Sequence, residues 1–213
     1  MKMKTTANKK FLWFALMSVL AVAVMAAPVR SASSANTETK LKRPNIVVIL
    51  GDDLGFSDLG CFGSEIKTPH LDSLAKAGVR FTHFYTSASC SPTRSMLLSG
   101  VDTHLNGMGN MDEWTAPNQR GVDGYEGYLN KRVVTLPQLL KAAGYHTYMV
   151  GKWHVTPLTE SGATGPFDGW PLGRGFDRFY GFLDAETDQY APELVRDNTP
   201  VDPPGTFATG YHL

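Results

Sequence analysis

The sequence predicts an α/β fold in which a mostly parallel sheet is flanked by helices. Short β-branched runs alternate with helical segments that carry their own start and stop signals. Polar motifs follow two of these runs directly, at the position where open α/β sheets hold their ligands. The strand–helix–strand order favours parallel strands joined by right-handed crossovers.

The first half of this pattern leads from one polar motif to the next. Residues 45–50 (N-I-V-V-I-L) predict a strand buried on both faces, and Asp52 and Asp53 follow it. Residues 68–78 then predict a helix with Thr68 as its N-cap, leucines on its inner face and a glycine stop. Residues 79–85 predict a second strand, which delivers the chain to Cys90.

Residues 90–100 (C-S-P-T-R-S-M-L-L-S-G) predict a helix whose first turn gathers reactive groups. Pro92 suits a first helical turn, residues 96–98 give an apolar side, and Gly100 can close the helix in a left-handed cap. Cys90 is then at the helix N-terminus, which favours an anion, and Arg94 is one turn further on the same face. This arrangement indicates chemistry on a tetrahedral oxyanion ester.

A third helix and strand repeat the arrangement. Residues 135–144 predict a helix that starts at Thr135, buries its leucines and ends at a glycine, and residues 145–150 predict the strand after it. Lys152 and His154 follow that strand, so we expect them in the same crevice as Asp52 and Asp53. A lysine supplies positive charge for anionic oxygens, and a histidine can carry a proton near neutral pH.

Adjacent carboxylates predict a metal at Asp52 and Asp53, because two acids repel each other unless a cation lies between them. A hard divalent cation such as Ca²⁺ takes several carboxylate oxygens. The alternative is that Asp52 caps a turn and Asp53 faces solvent.

The three motifs together resemble the type I sulfatases. The resemblance is carried by C-x-P-x-R with its L-S-G tail at residues 90–100, by D-D-x-G at residues 52–55 and by G-K-W-H at residues 151–154. The amino-acid sequence of residues 101–132 is similar to that of the arylsulfatase branch. A thiol phosphatase would need a phosphate-cradling loop between cysteine and arginine, whereas this sequence has a proline there, which has no N–H to donate.

The resemblance implies an alkaline-phosphatase-like sandwich and the hydrolysis of sulfate monoesters, with aryl sulfates as the expected substrates. In that family a maturation enzyme oxidises the cysteine to formylglycine, whose hydrate is the nucleophile. The implied catalytic residues are Cys90, Arg94, Lys152 and His154, and the implied ligands of one Ca²⁺ are Asp52, Asp53 and Cys90. The alternatives are a phosphonate or phosphodiester hydrolase of the same superfamily and a non-catalytic sulfatase relic.

Several other residues are candidates for this site. A disulfide between Cys61 and Cys90 is the rival chemistry for Cys90, and oxidation of Cys90 would leave Cys61 as a small buried residue. His104 fits either a pocket or a packing role, and the sequence does not choose between them. Asp197-Asn198 is the one tempting second metal pair, but we expect a loop turn because no buried strand is predicted to lead into it.

The N-terminus predicts export to the periplasm or out of the cell. Residues 1–27 combine four lysines with an apolar run that is short for a membrane span, and small residues follow, which is typical of a signal peptide. An uncleaved N-terminal anchor is the alternative. Residues 28–42 are predicted to be a linker, and residues 43–213 the N-terminal part of a sulfatase catalytic domain.

Charge gives no reason to expect nucleic acid as a partner. Removal of four lysines and no acidic residue from a chain with 20 basic and 20 acidic residues leaves a net charge of −4. We expect no membrane span in the mature chain. Sulfatases are considerably longer and take further metal ligands, a His and a Lys from their later half, so we expect these 213 residues alone to aggregate or to show at most trace activity.

Overall fold

The computed structural model describes residues 43–213, which contribute to two units, Met1–Ile49 and Leu50–Leu213. Residues 43–49 have no regular secondary structure, and their side chains are exposed. The predicted signal peptide and linker lie outside the described residues. Within residues 43–213, no helix has the length and apolar character that a membrane crossing requires.

Four α-helices and five short 3₁₀ turns lie in residues 50–213. The α-helices are α1 (Pro69–Ala77), α2 (Cys90–Ser99), α3 (Thr103–Asn106) and α4 (Leu136–Ala142). The 3₁₀ turns are Phe56–Asp58, Gly60–Phe62, Asp112–Trp114, Leu158–Glu160 and Phe207–Thr209. The predicted starts and stops of α1, α2 and α4 are confirmed to within about two residues.

The described strands form one four-stranded sheet in the order β1-β2-β3-β4. The strands are β1 (Tyr148–Lys152), β2 (Arg178–Phe182), β3 (Leu194–Arg196) and β4 (Thr199–Val201). β1 and β2 are parallel, with Tyr148 opposite Arg178, and the other two pairs are antiparallel. Gly181 of β2 lies against the backbone of Gly151, where a Cβ would collide with the Gly151 carbonyl oxygen.

The hydrophobic core lies beneath the sheet and along the chain that follows β1. Its largest fully buried members are Trp153, Trp170, Phe179 and Met108. Phe167 packs edge-on against Trp170, with 4.9 Å between ring centroids. Because Trp153 belongs to this core and immediately precedes His154, the core anchors the G-K-W-H motif.

The predicted strands at residues 45–50 and 79–85 are wrong for this structure, because neither segment is part of the described sheet. A strand exists only where a neighbour completes its ladder of hydrogen bonds. Val47 is 81% exposed and Tyr85 is 83% exposed, so the apolar character that predicted burial is turned to solvent. The third strand, predicted at residues 145–150, is present but shifted: it begins at Tyr148 and ends at Lys152.

The predicted inner faces of the helices are also partly wrong. Leu74 of α1 and Leu139 of α4 are exposed, as are Leu71, Leu97 and Leu136. In α2 the buried face consists of Ser91, Pro92, Arg94 and Ser95. Apolar periodicity marks a face that is suited to burial, but burial requires a neighbour on that face.

Residues 101–132, which include α3, are held together by hydrogen bonds between backbone groups. The Gly109 amide donates to the Gly124 carbonyl at 2.8 Å, and the Asn130 amide donates to the Asn106 carbonyl at 2.9 Å. His104 is exposed and contacts Tyr125, with 3.1 Å between Nε2 and the phenol oxygen. His104 therefore has a loop-packing contact in this structure.

Asp197-Asn198 is a turn, as expected, but it belongs to a hairpin. The two residues connect β3 to β4, and Leu194 and Val195 of β3 are buried, so the expectation that no buried strand leads into the turn is wrong. Three-residue strands are too short to leave a clear pattern in the sequence. The Asp197 carboxylate accepts from the Phe179 amide at 3.0 Å, which ties the turn to β2.

Glu126 stabilises the loop segment through charge-assisted hydrogen bonds. Its carboxylate accepts from the Gly124 amide at 2.8 Å and pairs with Arg132 at 2.5 Å. Burial opposes ionisation of Glu126, but hydrogen bonds from its own amide, from Arg132 and from Gly124 outweigh burial and hold its pKa below the ordinary value.

We predict that Glu126→Gln lowers the free energy of unfolding at pH 7 by about 1 to 2 kcal/mol. Stabilisation by an ionised carboxylate with a lowered pKa is present above the ordinary glutamate pKa and is lost as the pH falls through the lowered value. The variant should therefore lose less stability than the parent on acidification. Urea denaturation at pH 7 and at acid pH measures this, with the exposed Glu65→Gln as control; equal acid losses in parent and variant would contradict it.

Candidate active site

Cys90 lies at the first position of α2. Ser89, the N-cap, has extended backbone angles, and the Gly100 amide closes the other end by donating to the Met96 carbonyl at 2.7 Å. The Cys90 side chain is half-buried at the N-terminal end of the helix. The helix therefore presents residue 90 where unpaired amides and the helix dipole favour negative charge.

Lys152 and His154 are positioned by the pairing of β1 with β2. Lys152 is the last residue of β1, so it lies in the strand and not beyond it as expected. The parallel course continues past the strand end, because the Trp153 amide donates to the Phe182 carbonyl at 3.0 Å and the His154 amide donates to the Leu183 carbonyl at 2.9 Å. His154 has a positive φ of 55°, so its backbone is held in an uncommon conformation.

Arg94 connects its own helix, α2, to the D-D-x-G motif at Asp52 and to the G-K-W-H motif at Lys152. Its guanidinium donates to the Lys152 carbonyl at 2.7 Å and to the Asp52 carboxylate at 3.1 Å. Arg94 is only 7% exposed, and its Nε has no hydrogen-bond partner in the described structure. A buried planar donor with two fixed acceptors sets the distance between α2, β1 and residue 52.

Asp52 is the shared counter-charge of two cations. Lys152 Nζ lies 3.0 Å from one of its oxygens, and Arg94 lies 3.1 Å from the other. Burial opposes ionisation of Asp52, but the hydrogen bonds and charges of Lys152 and Arg94 outweigh it, so the pKa of Asp52 is below its ordinary value. The carboxylate is therefore ionised near neutral pH. As expected, the D-D-x-G motif and the G-K-W-H motif meet, through Asp52 and Lys152.

Asp53 is exposed, with a positive φ of 53°. No hydrogen bond or ion pair involves its side chain within residues 43–213, so its carboxylate is available as a ligand. The same residues contain no ready-made group of three His, Cys, Asp or Glu side chains for a metal. Asp52 and Asp53 offer hard oxygen donors that suit Ca²⁺, and they supply only part of its usual six to eight ligands.

His154 contacts Cys90 directly. Its Nδ1 lies 3.3 Å from Cys90 Sγ, and its Nε2 lies 3.2 Å from Oε1 of Glu113. The side chain is 6% exposed. Burial lowers the pKa of His154, with a smaller effect of Lys152 in the same direction, while Glu113 and Asp184 oppose the change. Burial therefore favours the neutral imidazole, which lies beside Cys90.

Two residues of this site were missed by the sequence analysis. Glu113 pairs with His154, and Met111 places its sulfur 3.6 Å from Cys90 Sγ. Both belong to the segment around the 3₁₀ turn Asp112–Trp114, whose sequence shows only a similarity to the arylsulfatase branch. The sequence has no signal that singles out Glu113, because Asp112 precedes it and residues 101–132 contain three further acids, Asp102, Asp123 and Glu126.

The disulfide alternative is not realised in the structure. Cys61 and Cys90 are both free, and Cys61 is half-buried and not buried as expected. Its carbonyl accepts a hydrogen bond from Arg80, and its amide donates to Asp72 at 2.7 Å. The backbone of Cys61 thus ties the 3₁₀ turn Gly60–Phe62 to α1 and to Arg80.

Comparison with known proteins identifies the family. A family model described as Sulfatase matches residues 44–212. The chain belongs to the sulfatase family. An uncharacterised sulfatase of Schizosaccharomyces pombe is 46% identical over 171 residues, which cover 79% of this chain and 29% of that protein. An arylsulfatase of Klebsiella aerogenes is 39% identical over 170 residues, which cover 80% of this chain and 33% of that enzyme.

Solved structures agree with this assignment. The crystal structure of Ps i-CgsB superposes with a TM-score of 0.64 at 26% identity, covering 79% of this chain and 39% of that one. The predicted alkaline-phosphatase-like α/β fold is therefore confirmed, and the chain covers part of it. The chain spans about a third or less of the length of the curated sulfatases described above.

We predict that Arg94→Lys destabilises the protein by about 2 kcal/mol, because a lysine cannot reach both the Lys152 carbonyl and the Asp52 carboxylate. The matched control is Arg178→Lys, which alters an exposed ion pair with Asp197 and should cost less than about 0.5 kcal/mol. Urea denaturation of both variants checks the difference, and equal losses would show that the buried arginine has no special role.

Proposed function

We propose that residues 43–213 form the N-terminal part of a sulfatase catalytic domain that hydrolyses sulfate monoesters. The observation that supports this most directly is the meeting of three distant motifs. Arg94, four residues after Cys90, bonds both Asp52 and the Lys152 backbone, and His154 contacts Cys90. Family membership supports the same conclusion, because sulfatases share this reaction class.

The proposed nucleophile is residue 90 after oxidation of its thiol to formylglycine by a maturation enzyme. One hydroxyl of the hydrated side chain attacks the sulfur of the ester, and the alcohol leaves. The second hydroxyl then gives up its proton, the aldehyde re-forms, and sulfate is expelled. The neutral ring of His154, at 3.3 Å from Sγ in the thiol form, is suited to accept that proton.

The positive groups of the site are suited to bind the sulfate oxygens. Lys152 and Arg94 are 9% exposed or less at their side chains, so their charges act in a poorly solvated setting. Charge that develops on the oxygens in the transition state is stabilised by such fixed donors. The helix N-terminus at residue 90 adds its dipole in the same direction.

Asp52, Asp53 and the oxidised side chain of residue 90 would hold a Ca²⁺ ion. When bound, the ion supplies charge that polarises and orients a sulfate ester. Export to the periplasm or the medium is part of the proposal, since the N-terminus has the sequence of a signal peptide. Aryl sulfates are the proposed substrates, on the strength of the arylsulfatase-like wording of residues 101–132 and of the similarity to the Klebsiella enzyme.

Conversion of residue 90 is tested on the full-length product of the coding sequence that contains these residues, co-produced with a formylglycine-generating enzyme. We predict that the peptide containing residue 90 loses one sulfur and two hydrogens and gains one oxygen, measured by mass spectrometry. Cys90→Ala should lower kcat/KM on p-nitrophenyl sulfate by roughly 10³-fold or more, because the nucleophile is lost. Cys61→Ala is the matched control.

Two outcomes would contradict the proposal. An unconverted cysteine in the native host would indicate a relic. Faster turnover of phenylphosphonate than of p-nitrophenyl sulfate would assign the related phosphonate or phosphodiester chemistry.

Calcium binding is tested by calorimetric titration of the same protein after chelation. We predict that Asp53→Asn weakens Ca²⁺ binding by roughly tenfold or more, because a charged oxygen ligand is replaced by a neutral one. Asp202→Asn, an exposed aspartate in a loop, is the control and should bind as the parent does. Equal affinities of the parent and Asp53→Asn would remove Asp53 from the ligand set.

A further inference from the structure

Glu113 is the residue that completes the site around His154. We propose that Glu113 is a positioning residue, which holds an N–H of the His154 ring at Nε2 and so leaves Nδ1 facing residue 90 as the acceptor. The inference deepens the proposed function and rests on it for its catalytic consequence. Its structural content can be tested in the unconverted thiol form.

The two ring nitrogens of His154 have different partners. Nε2 lies 3.2 Å from a carboxylate oxygen of Glu113, and Nδ1 lies 3.3 Å from Cys90 Sγ. An ionised carboxylate only accepts hydrogen bonds, whereas a thiol can donate or accept. A neutral ring has a single N–H, so the pair with Glu113 is satisfied only when that N–H is at Nε2.

The surroundings of His154 offer its ring few other hydrogen-bond partners. Its side chain is 6% exposed, so water can offer few alternative partners. Its backbone has a positive φ of 55° and is tied to Leu183 by a 2.9 Å hydrogen bond. The charged groups nearby are Lys152 and Asp184, and the carboxylate that hydrogen-bonds the ring is that of Glu113.

The segment that carries Glu113 also contacts Cys90, the residue that lies against Nδ1 of His154. Met111 is 6% exposed, and its sulfur lies 3.6 Å from Cys90 Sγ. Glu113 follows it in the 3₁₀ turn Asp112–Trp114, where the Trp114 amide donates to the Met111 carbonyl at 3.1 Å. One short turn thus positions the apolar contact of residue 90 and the acceptor of His154 together.

The tautomer decides what the ring can do for the reaction. With the proton on Nε2, Nδ1 can accept a proton from a hydroxyl on residue 90, as the second step of the proposed reaction requires. With the proton on Nδ1, the ring would donate to that hydroxyl and could not remove its proton. Glu113 acts through His154 and needs no contact with the substrate.

The first test measures the tautomer. The full-length product of the coding sequence that contains these residues is labelled with ¹⁵N-histidine and produced without a maturation enzyme, and long-range ¹H–¹⁵N correlation spectra are recorded near pH 7.5. The signal that disappears in His154→Gln is assigned to His154. We expect the Nε2–H tautomer in the parent; an Nδ1–H tautomer or a doubly protonated ring would overturn the proposal without any variant.

Variants of Glu113 then separate its role from mere packing. Glu113→Gln retains an acceptor oxygen and should keep the Nε2–H tautomer, whereas Glu113→Leu removes the acceptor and should shift the population toward Nδ1–H. Glu65→Gln, at an exposed glutamate outside the site, should leave the spectrum unchanged. A folded Glu113→Leu variant with the parental tautomer would refute the inference; if that variant does not fold, the parent and Glu113→Gln spectra decide.

The second test measures kinetics on the converted full-length protein. Glu113→Leu should lower kcat on p-nitrophenyl sulfate by roughly tenfold to a hundredfold with little change in KM, and Glu113→Gln should restore most of the loss. An effect on KM alone would contradict a role in proton transfer. The spectra require neither formylglycine nor Ca²⁺, so an unconverted or inactive protein would refute the proposed function and leave the tautomer result standing.

Discussion

The double hydrogen bond of Arg94 determines how the site is assembled. One buried guanidinium donates to the Asp52 carboxylate and to the Lys152 carbonyl, so it joins the segment around Asp52, helix α2 and strand β1. Each partner has its own local support: α2 is capped at Gly100, and β1 is paired with β2. Because the donors of a planar guanidinium point in set directions, Arg94 fixes the distances from α2 to Asp52 and to the backbone of Lys152.

Local signals in the sequence were sufficient for the ends of three of the helices. Proline at the first turns and glycine at the ends predicted α1, α2 and α4 because these residues act through backbone geometry that needs no partner. The meeting of residues 52 and 152 was predicted from the rule that strand ends of an α/β sheet share a crevice, but only one of the two strands invoked, β1, is present in the described structure. The chemical roles of these residues remain predictions.

Burial and strand pairing could not be obtained in the same way. Val47 and Tyr85 belong to runs that favour strands, yet both are exposed, because pairing depends on a neighbour that local sequence does not specify. Glu113 was missed for a related reason. One acid among several in a loop becomes meaningful only when the fold brings it to Nε2 of His154, and the 40 residues between them carry no spacing rule.

The sharing of Asp52 between Arg94 and Lys152 has a thermodynamic consequence. A cation that binds this carboxylate competes with both side chains for the same two oxygens, and so leaves two buried positive charges without their counter-charge. An anion that then binds the released side chains removes that penalty, so cation and anion reinforce each other's affinity. Such linkage is reciprocal by necessity: each ligand strengthens the other by an equal factor.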